Sequence, residues 1–311
     1  MVLTNHKTKR KDVIKKKIIT YWDLYVLMLP GLLYFIIFKY LPMYGAQIAF
    51  KNYMPSLGIW GSPWVGFDHF QRFFSSPNFG NIMWNTVSLS LFNILFGFPA
   101  PIILALIINE IKWKPFKKAV QTITYAPHFI STVVLVGLLQ MILSPSSGII
   151  NNILQVFNIQ PIYFMAEEGW FKPIYILSGI WKSAGWGSII YLAAISGIDT
   201  EMYESAKIDG ASRWKQLIYI TLPNIIPTAM IMLILDIGKV MSIGFEKVFL
   251  MQNSMNIGVS EIISTYVYNV GILDVQFSYS TAIGLFNSII NLIMLILANW
   301  VSKKVTQVGL W

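Results

Sequence analysis

Two charged residues stand inside one of the most apolar stretches of the sequence. Asp236 and Lys239 are the only ionisable side chains between residues 222 and 245. Their spacing of three residues puts them on one face of a helix, where the two charges can neutralise each other. A charge at the centre of a lipid-embedded helix costs at least about 2.5 kcal/mol. The pair is therefore either a structural ion pair or part of a path for a solute, and both interpretations stay open.

This chain contains few of the residue patterns that catalytic sites need. The sequence has no cysteine, which excludes thiolate nucleophiles and cysteine metal sites. The three histidines, His6, His69 and His128, are scattered. The Gly238-Lys239 dipeptide lacks the hydroxyl and the upstream glycine of a phosphate-binding loop, and neither a Gly-x-Ser-x-Gly nor a His-Glu-x-x-His pattern occurs. The sequence predicts a protein that is not an enzyme and holds no cofactor of its own.

The composition indicates that much of the surface faces lipid. Of the 311 residues, 55% are hydrophobic and 12% are charged, against about 25% charged in an average soluble domain. The mean hydropathy of +0.60 is too high for one soluble domain, because a soluble core needs a polar surface around it. We expect an integral protein of the plasma membrane.

Six apolar runs approach the roughly 20 residues that a helix needs to cross the hydrocarbon core. They cover residues 24–50, 84–108, 120–143, 173–198, 222–250 and 277–301. The predicted fold class is therefore all-α, a polytopic membrane protein with about six transmembrane helices.

The basic residues predict the orientation of these spans. Sixteen of the 23 Lys and Arg residues lie before the first run, after the second, after the fourth and after the sixth. These segments share one side of a six-span chain, and the positive-inside rule assigns that side, with both termini, to the cytoplasm. The net charge of +9 thus reflects membrane orientation rather than nucleic-acid binding. We expect a basic cytoplasmic segment (1–20), a single transmembrane domain (21–305) and a cytoplasmic tail (306–311).

The cytoplasmic segment between the fourth and fifth runs carries signals for two short helices. Asp199 or Thr200 can cap a first helix that extends to about Asp209. Gly210 suits the left-handed residue that ends a helix, and Ser212 can cap a second helix. Taken alone, this pattern also fits an amphipathic connector between two spans.

The same segment resembles the EAA loop of binding-protein-dependent ABC importer permeases. The matching positions are Glu204, Ala206, Asp209-Gly210-Ala211 and the closing Leu222-Pro223. Ser205 stands where the family usually has alanine, and Leu217 where phenylalanine is common. In that family the loop is the coupling helix, which seats in a groove of a cytoplasmic ATPase. The resemblance implies a coupling loop at about 199–221 that contacts the ATPase through Glu204, Ser205, Ala206, Asp209, Gly210, Ala211 and Arg213.

Four further motifs are similar to the carbohydrate branch of these permeases, especially to those that import oligosaccharides cut from polysaccharides. They are Leu29-Pro30-Gly31, Asn109-Glu110, Pro127-His128 and Gly244-Phe245-Glu246. The resemblance covers most of residues 20–305. It implies a second, homologous permease subunit, two ATPase subunits that bind ATP and Mg, and an extracellular solute-binding protein, all working by alternating access.

An oligosaccharide path would be lined by aromatic rings and amides, on which a polyhydroxylated solute can stack and to which it can hydrogen-bond. The same side chains could instead join neighbouring helices. The candidates for the path are Asn93, Trp181, Trp186, Tyr191, Asp236, Lys239 and Asn287.

Two other classes of protein remain as alternatives. An ion-coupled secondary transporter would use Asp236 and Lys239, and its uptake would follow a proton or sodium gradient rather than ATP. A non-transporting membrane scaffold would show no uptake defect when deleted.

Overall fold

A computed structural model describes residues 20–311. The predicted basic segment 1–20 therefore lies, apart from its last residue, outside the described residues. The chain divides into two compact units, one up to His69 and the other comprising Phe70–Trp311. We number the helices α1 to α14 in chain order.

The first unit contains one long apolar helix. Helix α1 comprises Trp22–Phe50 and includes a π-helical turn at Ile36–Tyr40. No side chain of its first segment, Trp22–Phe35, is buried, although nearly all of them are apolar, as expected of a helix that meets lipid on its surface. The short helix α2 (Gly58–Gly61) follows it.

The remaining helices are listed here with their bounds. They are α3 (Asp68–Phe74), α4 (Phe79–Glu110), α5 (Lys114–Phe129), α6 (Thr132–Ile142), α7 (Ile149–Val156), α8 (Glu168–Ser196), α9 (Thr200–Ile208), α10 (Arg213–Ile237), α11 (Phe245–Met251), α12 (Ile257–Ser260), α13 (Ile263–Leu273) and α14 (Phe277–Thr306).

Within residues 20–311, four helices are long and apolar enough to cross a membrane, namely α1, α4, α10 and α14. Helices α5 and α6 pass the same test only as a pair, and they are bent by 100° at the break between them. Helix α8, over the predicted fourth span, has 29 residues but is too polar to be counted with the four. The structure thus confirms a helical, multi-pass chain, and the number six stays a prediction.

Helix α8 lies at the centre of the second unit. Its N-terminal half contributes Phe171 and Tyr175 to one buried hydrophobic cluster, and its C-terminal half contributes Tyr191 and Ile195 to another. Between them, Gly185 lies so close to the backbone of α5 that a Cβ atom would overlap a carbonyl group there. Protein contacts therefore cover much of α8, which explains why a helix with this many polar residues can pack at this position.

The predicted fifth span, 222–250, is not one helix. Helix α10 begins at Arg213, within the segment predicted to be cytoplasmic, and continues through a π-helical turn at Leu217–Thr221 to its end at Ile237. The break that follows covers residues 238–244, contains one 3-10 turn and ends at a left-handed Gly244. The sequence shows no sign of this break, because the residues across it are mostly apolar and hydropathy does not report backbone geometry.

Candidate coupling loop and translocation path

The loop at 199–221 has the predicted helix–turn–helix form. Helix α9 starts at a cap in which Asp199 Oδ1 accepts the N–H of Glu201 at 2.9 Å. Helix α10 starts at a second cap, where Ser212 Oγ accepts the N–H of Lys215 at 3.3 Å. Each cap satisfies one of the backbone donors that a helix start leaves without an intrahelical partner. The second helix is not a separate element, because α10 runs without a break from Arg213 to Ile237.

The turn between the two helices is a Schellman motif. The N–H of Gly210 donates to the carbonyl of Lys207 at 3.1 Å, and the N–H of Ala211 donates to the carbonyl of Ala206 at 2.8 Å. Gly210 has φ +75°, the left-handed conformation that this motif requires. A Cβ atom on Gly210 would meet nothing within 4 Å. The backbone conformation, rather than a lack of space, is therefore what favours glycine here.

A groove of about 320 Å³ runs beside α9 and joins the loop to the end of α4. It is lined in part by Glu204, Lys207, Arg213 and Glu110. Arg213 Nη1 donates to Glu110 Oε2 at 3.2 Å. The sequence pattern did not identify this pair, because the two residues are 103 positions apart.

None of the seven predicted coupling residues is buried. Five of them are exposed, namely Glu204, Ser205, Asp209, Gly210 and Arg213, while Ala206 and Ala211 are half-buried. A surface that is exposed and yet held by caps and a Schellman turn can offer a fixed shape to another protein. The geometry fits docking, and the partner itself stays a prediction.

A second site lies where α4 meets the break after α10. There a cavity of about 210 Å³ is lined by Asn93, Asp236 and Lys239, together with Ser90 and Ser242. Asn93 starts a π-helical turn in α4 that ends at Gly97, and single π-helical turns are frequent at functional sites. Three of the seven candidate path residues thus come together in one cavity, which Ile94, Val240 and Ile243 also line.

The ion pair that the spacing of Asp236 and Lys239 suggested is not formed. Helix α10 ends at Ile237, so Lys239 lies outside the helix and is not presented on the same helical face as Asp236. No salt bridge within 4 Å joins Asp236 to Lys239, whereas Arg213 and Glu110 form one. The two charges line one cavity without a salt bridge between them.

Asn287 reaches the same region through Ser242. The amide Nδ2 atoms of Asn287 and Asn291 both donate to Ser242 Oγ, at 3.2 and 2.7 Å. Asn291 also accepts the backbone N–H of Met241 through Oδ1 at 2.9 Å, whereas Oδ1 of Asn287 is buried without a hydrogen-bond partner. Asn291 therefore holds the break in place more firmly than the predicted Asn287 does.

The three aromatic candidates on α8 have different surroundings. Tyr191 is buried in a hydrophobic cluster with Ala105 and Ile225, as the helix-packing interpretation expects. Trp181 is about half exposed. Trp186 is 45% exposed and stacks on the ring of His128, with centroids 4.7 Å apart and planes 5° from parallel.

Comparison with known proteins finds a matching family and two similar proteins. The family model described as binding-protein-dependent transport system inner membrane component matches residues 97–307. The polygalacturonan/rhamnogalacturonan transport system permease protein YteP of Bacillus subtilis is 47% identical, over 98% of this chain and 95% of its own length. Protein LplB of the same organism is 46% identical, over 93% of this chain and 91% of its own.

A solved structure has the same fold. A chain in the crystal structure of a bacterial alginate ABC transporter, in complex with an alginate pentasaccharide-bound periplasmic protein, aligns with a TM-score of 0.88. The two sequences are 44% identical, and the alignment covers 95% of this chain and 99% of the other.

Proposed function

Because this chain belongs to the family of binding-protein-dependent transport system inner membrane components, we propose that it is the permease subunit of an ATP-driven oligosaccharide importer. It is a multi-pass protein of the cell membrane and a transport component rather than a catalyst. The relatives named for polygalacturonan, rhamnogalacturonan and alginate support a carbohydrate substrate. In this proposal a second, homologous permease completes the path, two ATPase subunits bind ATP and Mg, and an extracellular solute-binding protein delivers the sugar.

The observation that carries the proposal is the exposed, internally fixed loop at 199–221. Asp199 and Ser212 cap its two helices and Gly210 ends the first, so its shape depends little on a partner. Exposed carboxylates such as Glu204 can then orient a docked ATPase by charge-assisted hydrogen bonds to its basic groups.

The path from the loop to the membrane interior follows two helices. Helix α10 begins at the loop and ends beside Asp236, and α4 extends from Asn93 to the Glu110 that bonds Arg213. At a rise of about 1.5 Å per residue, the loop and the cavity are roughly 25 to 35 Å apart along these helices. When ATP closes the ATPase dimer, movement of the loop can therefore shift both walls of the cavity together. This is the physical basis that we propose for alternating access.

The test is a pair of substitutions at Gly210 in the complete transporter. Gly210→Val places a β-branched side chain at positive φ and should disturb the loop, whereas Gly210→Asn tolerates this conformation and serves as the control. At equal amounts of permease in the membrane, we expect at least a tenfold loss of oligosaccharide uptake for Gly210→Val. The ATPase should be lost on purification or should hydrolyse ATP without transport.

Glu204→Ala removes a docking charge without changing the backbone, and we expect the same kind of defect in weaker form. Normal ATP-dependent uptake by both Gly210→Val and Glu204→Ala would make the loop a plain connector and would remove the support for ATPase coupling.

A further inference from the structure

The second unit has another cavity, of about 430 Å³, between the segment that joins α6 to α8 and the segment that follows α11. Its volume lies in the range of roughly 300–1,000 Å³ that is usual for small-molecule sites. The two segments follow the third and fifth apolar runs, so the predicted orientation puts them on the extracellular side. We call it the outer cavity, and its polar and aromatic lining residues are Gln140, Ser144, Tyr163, Gln252, Asn253 and Ser254.

A buried asparagine of α7 holds the first wall of the outer cavity. Asn151 is fully buried, and its Nδ2 donates to the carbonyls of Ser144 and Ile162, each at 3.0 Å. Its Oδ1 accepts the N–H of Ile162 at 2.8 Å. Asn151 therefore ties together the two ends of the segment between α6 and α8.

A second buried asparagine joins the other wall to the first. Asn256 Nδ2 donates to the carbonyls of Met165 and Met251, each at 3.0 Å. Asn253 Nδ2 donates to the same carbonyl of Met165 at 2.7 Å. The walls are thus fixed by the protein's own hydrogen bonds, and a preformed site loses less conformational entropy when a ligand binds.

The chemistry of the lining fits a polyhydroxylated solute. None of the described residues that line the outer cavity is charged, so the site offers an ion no opposite charge. The amides of Gln140 and Gln252 each donate and accept hydrogen bonds, as sugar hydroxyls also do. Tyr163 is about half exposed, and its ring can pack against the apolar face of a pyranose.

Gln252 has a hydrogen-bond donor that the protein does not use. Its backbone N–H donates to the carbonyl of Val248 at 2.9 Å, whereas its side-chain Nε2 is buried without a partner among residues 20–311. A buried donor without an acceptor is unfavourable and is uncommon in native proteins. Because Gln252 lines the outer cavity, a rotation of its side chain brings this donor to the hydroxyl of a bound sugar.

We propose that the outer cavity is a subsite that binds one end of the transported oligosaccharide before the sugar enters the membrane interior. The inference rests on the proposed importer function and adds a site separate from the cavity at Asp236. Gln140 and Gln252 bind hydroxyls, and Tyr163 stacks on a sugar ring. Because no charged group takes part, the subsite binds acidic and neutral sugars alike.

The absence of cysteine from this chain allows a local test. Ser254 lines the outer cavity and is exposed, so Ser254→Cys in the complete transporter, without binding protein, can be labelled by an impermeant maleimide. The probes are tetragalacturonate and the same tetramer with its carboxyl groups reduced to alcohols. Both probes should slow labelling of this cysteine, with concentrations for half protection that agree within about threefold and change little with salt, since the lining carries no charge.

Two substitutions in the Ser254→Cys background test the assigned contacts. Gln252→Leu should raise the concentration for half protection about tenfold, because it removes a hydrogen bond to the sugar. Tyr163→Leu should raise it about fivefold through loss of stacking. The matched control is Gln155→Leu, which makes the same change at an exposed glutamine of α7 outside the cavity and should leave protection unchanged.

A second readout separates binding from folding. The thermal midpoint of Gln252→Leu should equal or exceed that of the unmodified transporter, because the change removes a buried donor that has no acceptor. A lower midpoint together with unchanged protection would make Gln252 a structural residue and would overturn its assignment.

Other results would overturn the subsite itself. Protection by the solute-binding protein but by neither sugar would make the outer cavity a seat for that protein. Protection by the acidic probe alone, or its loss at high salt, would contradict an uncharged site. If neither sugar protected the cysteine while the transporter still imported them with ATP, the subsite would be rejected and the importer function would stand. Absence of ATP-dependent uptake by the unmodified transporter would instead count against the importer function.

Discussion

Two breaks between helices contain left-handed glycines. Local hydrogen bonds hold the first break, whereas contacts with distant helices help to hold the second. The turn after α9 has Gly210 at φ +75°, and the break after α10 ends at Gly244 with φ +37°. Around Gly210 the stabilising hydrogen bonds come from residues within five positions, and a Cβ atom would meet nothing within 4 Å. Around Gly244 a Cβ atom would overlap the hydroxyl of Tyr175 from α8.

The second break has local hydrogen bonds as well, such as the one from the N–H of Ser242 to the carbonyl of Lys239, but distant parts of the chain also hold it. Ser90 of α4 donates a hydrogen bond to the carbonyl of Val240, and Asn291 of α14 accepts the N–H of Met241. A turn closed by local bonds can move as a rigid piece, as a docking surface should. A break held by three separate helices responds to any change in how those helices pack, which suits the moving cavity wall of the proposed alternating access.

The largest effect that we expect comes from Gly244→Ala. The new Cβ atom meets Tyr175 and also takes a left-handed conformation, so overpacking and backbone strain together should cost about 2–5 kcal/mol. The thermal midpoint in detergent should fall accordingly. The double variant with Tyr175→Phe should regain part of the loss, because it removes the overlapping hydroxyl. Absence of any recovery would show that strain at Gly244, and not contact with α8, sets the cost.

A smaller effect should follow from Asn291→Leu. This change leaves the N–H of the buried Met241 without its acceptor, which should cost about 1–3 kcal/mol in the free energy of unfolding. The matched control is Asn287→Leu, one turn earlier on α14. Asn287 makes only the longer bond to Ser242, so its loss should be clearly smaller when the two midpoints are compared. Equal losses would mean that Asn291 does not hold the break through Met241.

Gly210→Ala should cost less than either core change. Only the left-handed backbone conformation is unfavourable there, at about 1–2 kcal/mol, because the space around the glycine is open. Gly210→Asn should cost less again. If Gly210→Ala lowered the midpoint as much as Gly244→Ala, the distinction between a local turn and a tertiary break would be wrong.

The smallest expected effect belongs to Glu110→Gln. The pair with Arg213 is largely exposed, with side-chain exposures of 41% and 60%, so solvent screens it and its contribution should stay under about 1 kcal/mol. The unfolding midpoint at low and high salt should be almost the same in the variant and the wild type. A large, salt-sensitive loss would show that the pair holds α4 to the loop structurally.

The sequence by itself determined the features that depend on near neighbours in the chain. Composition indicated a helical membrane protein, and the helix caps at Asp199 and Ser212 and the left-handed Gly210 all formed as predicted. Each of these signals is complete within a few residues. The EAA-like loop, also a local pattern, pointed to a permease family, and that family is confirmed by the match over 97–307.

Only the tertiary structure decided how distant residues meet. Hydropathy could not show that the fifth apolar run breaks at residue 238, because side chains on α4, α8 and α14 hold that break. Nor could it show that Lys247 lies beside Gly179 of α8, or that Asp236 and Lys239 share a cavity without pairing. These arrangements follow from packing between helices, where a hydrogen bond or a missing Cβ atom acts on a segment far away in sequence.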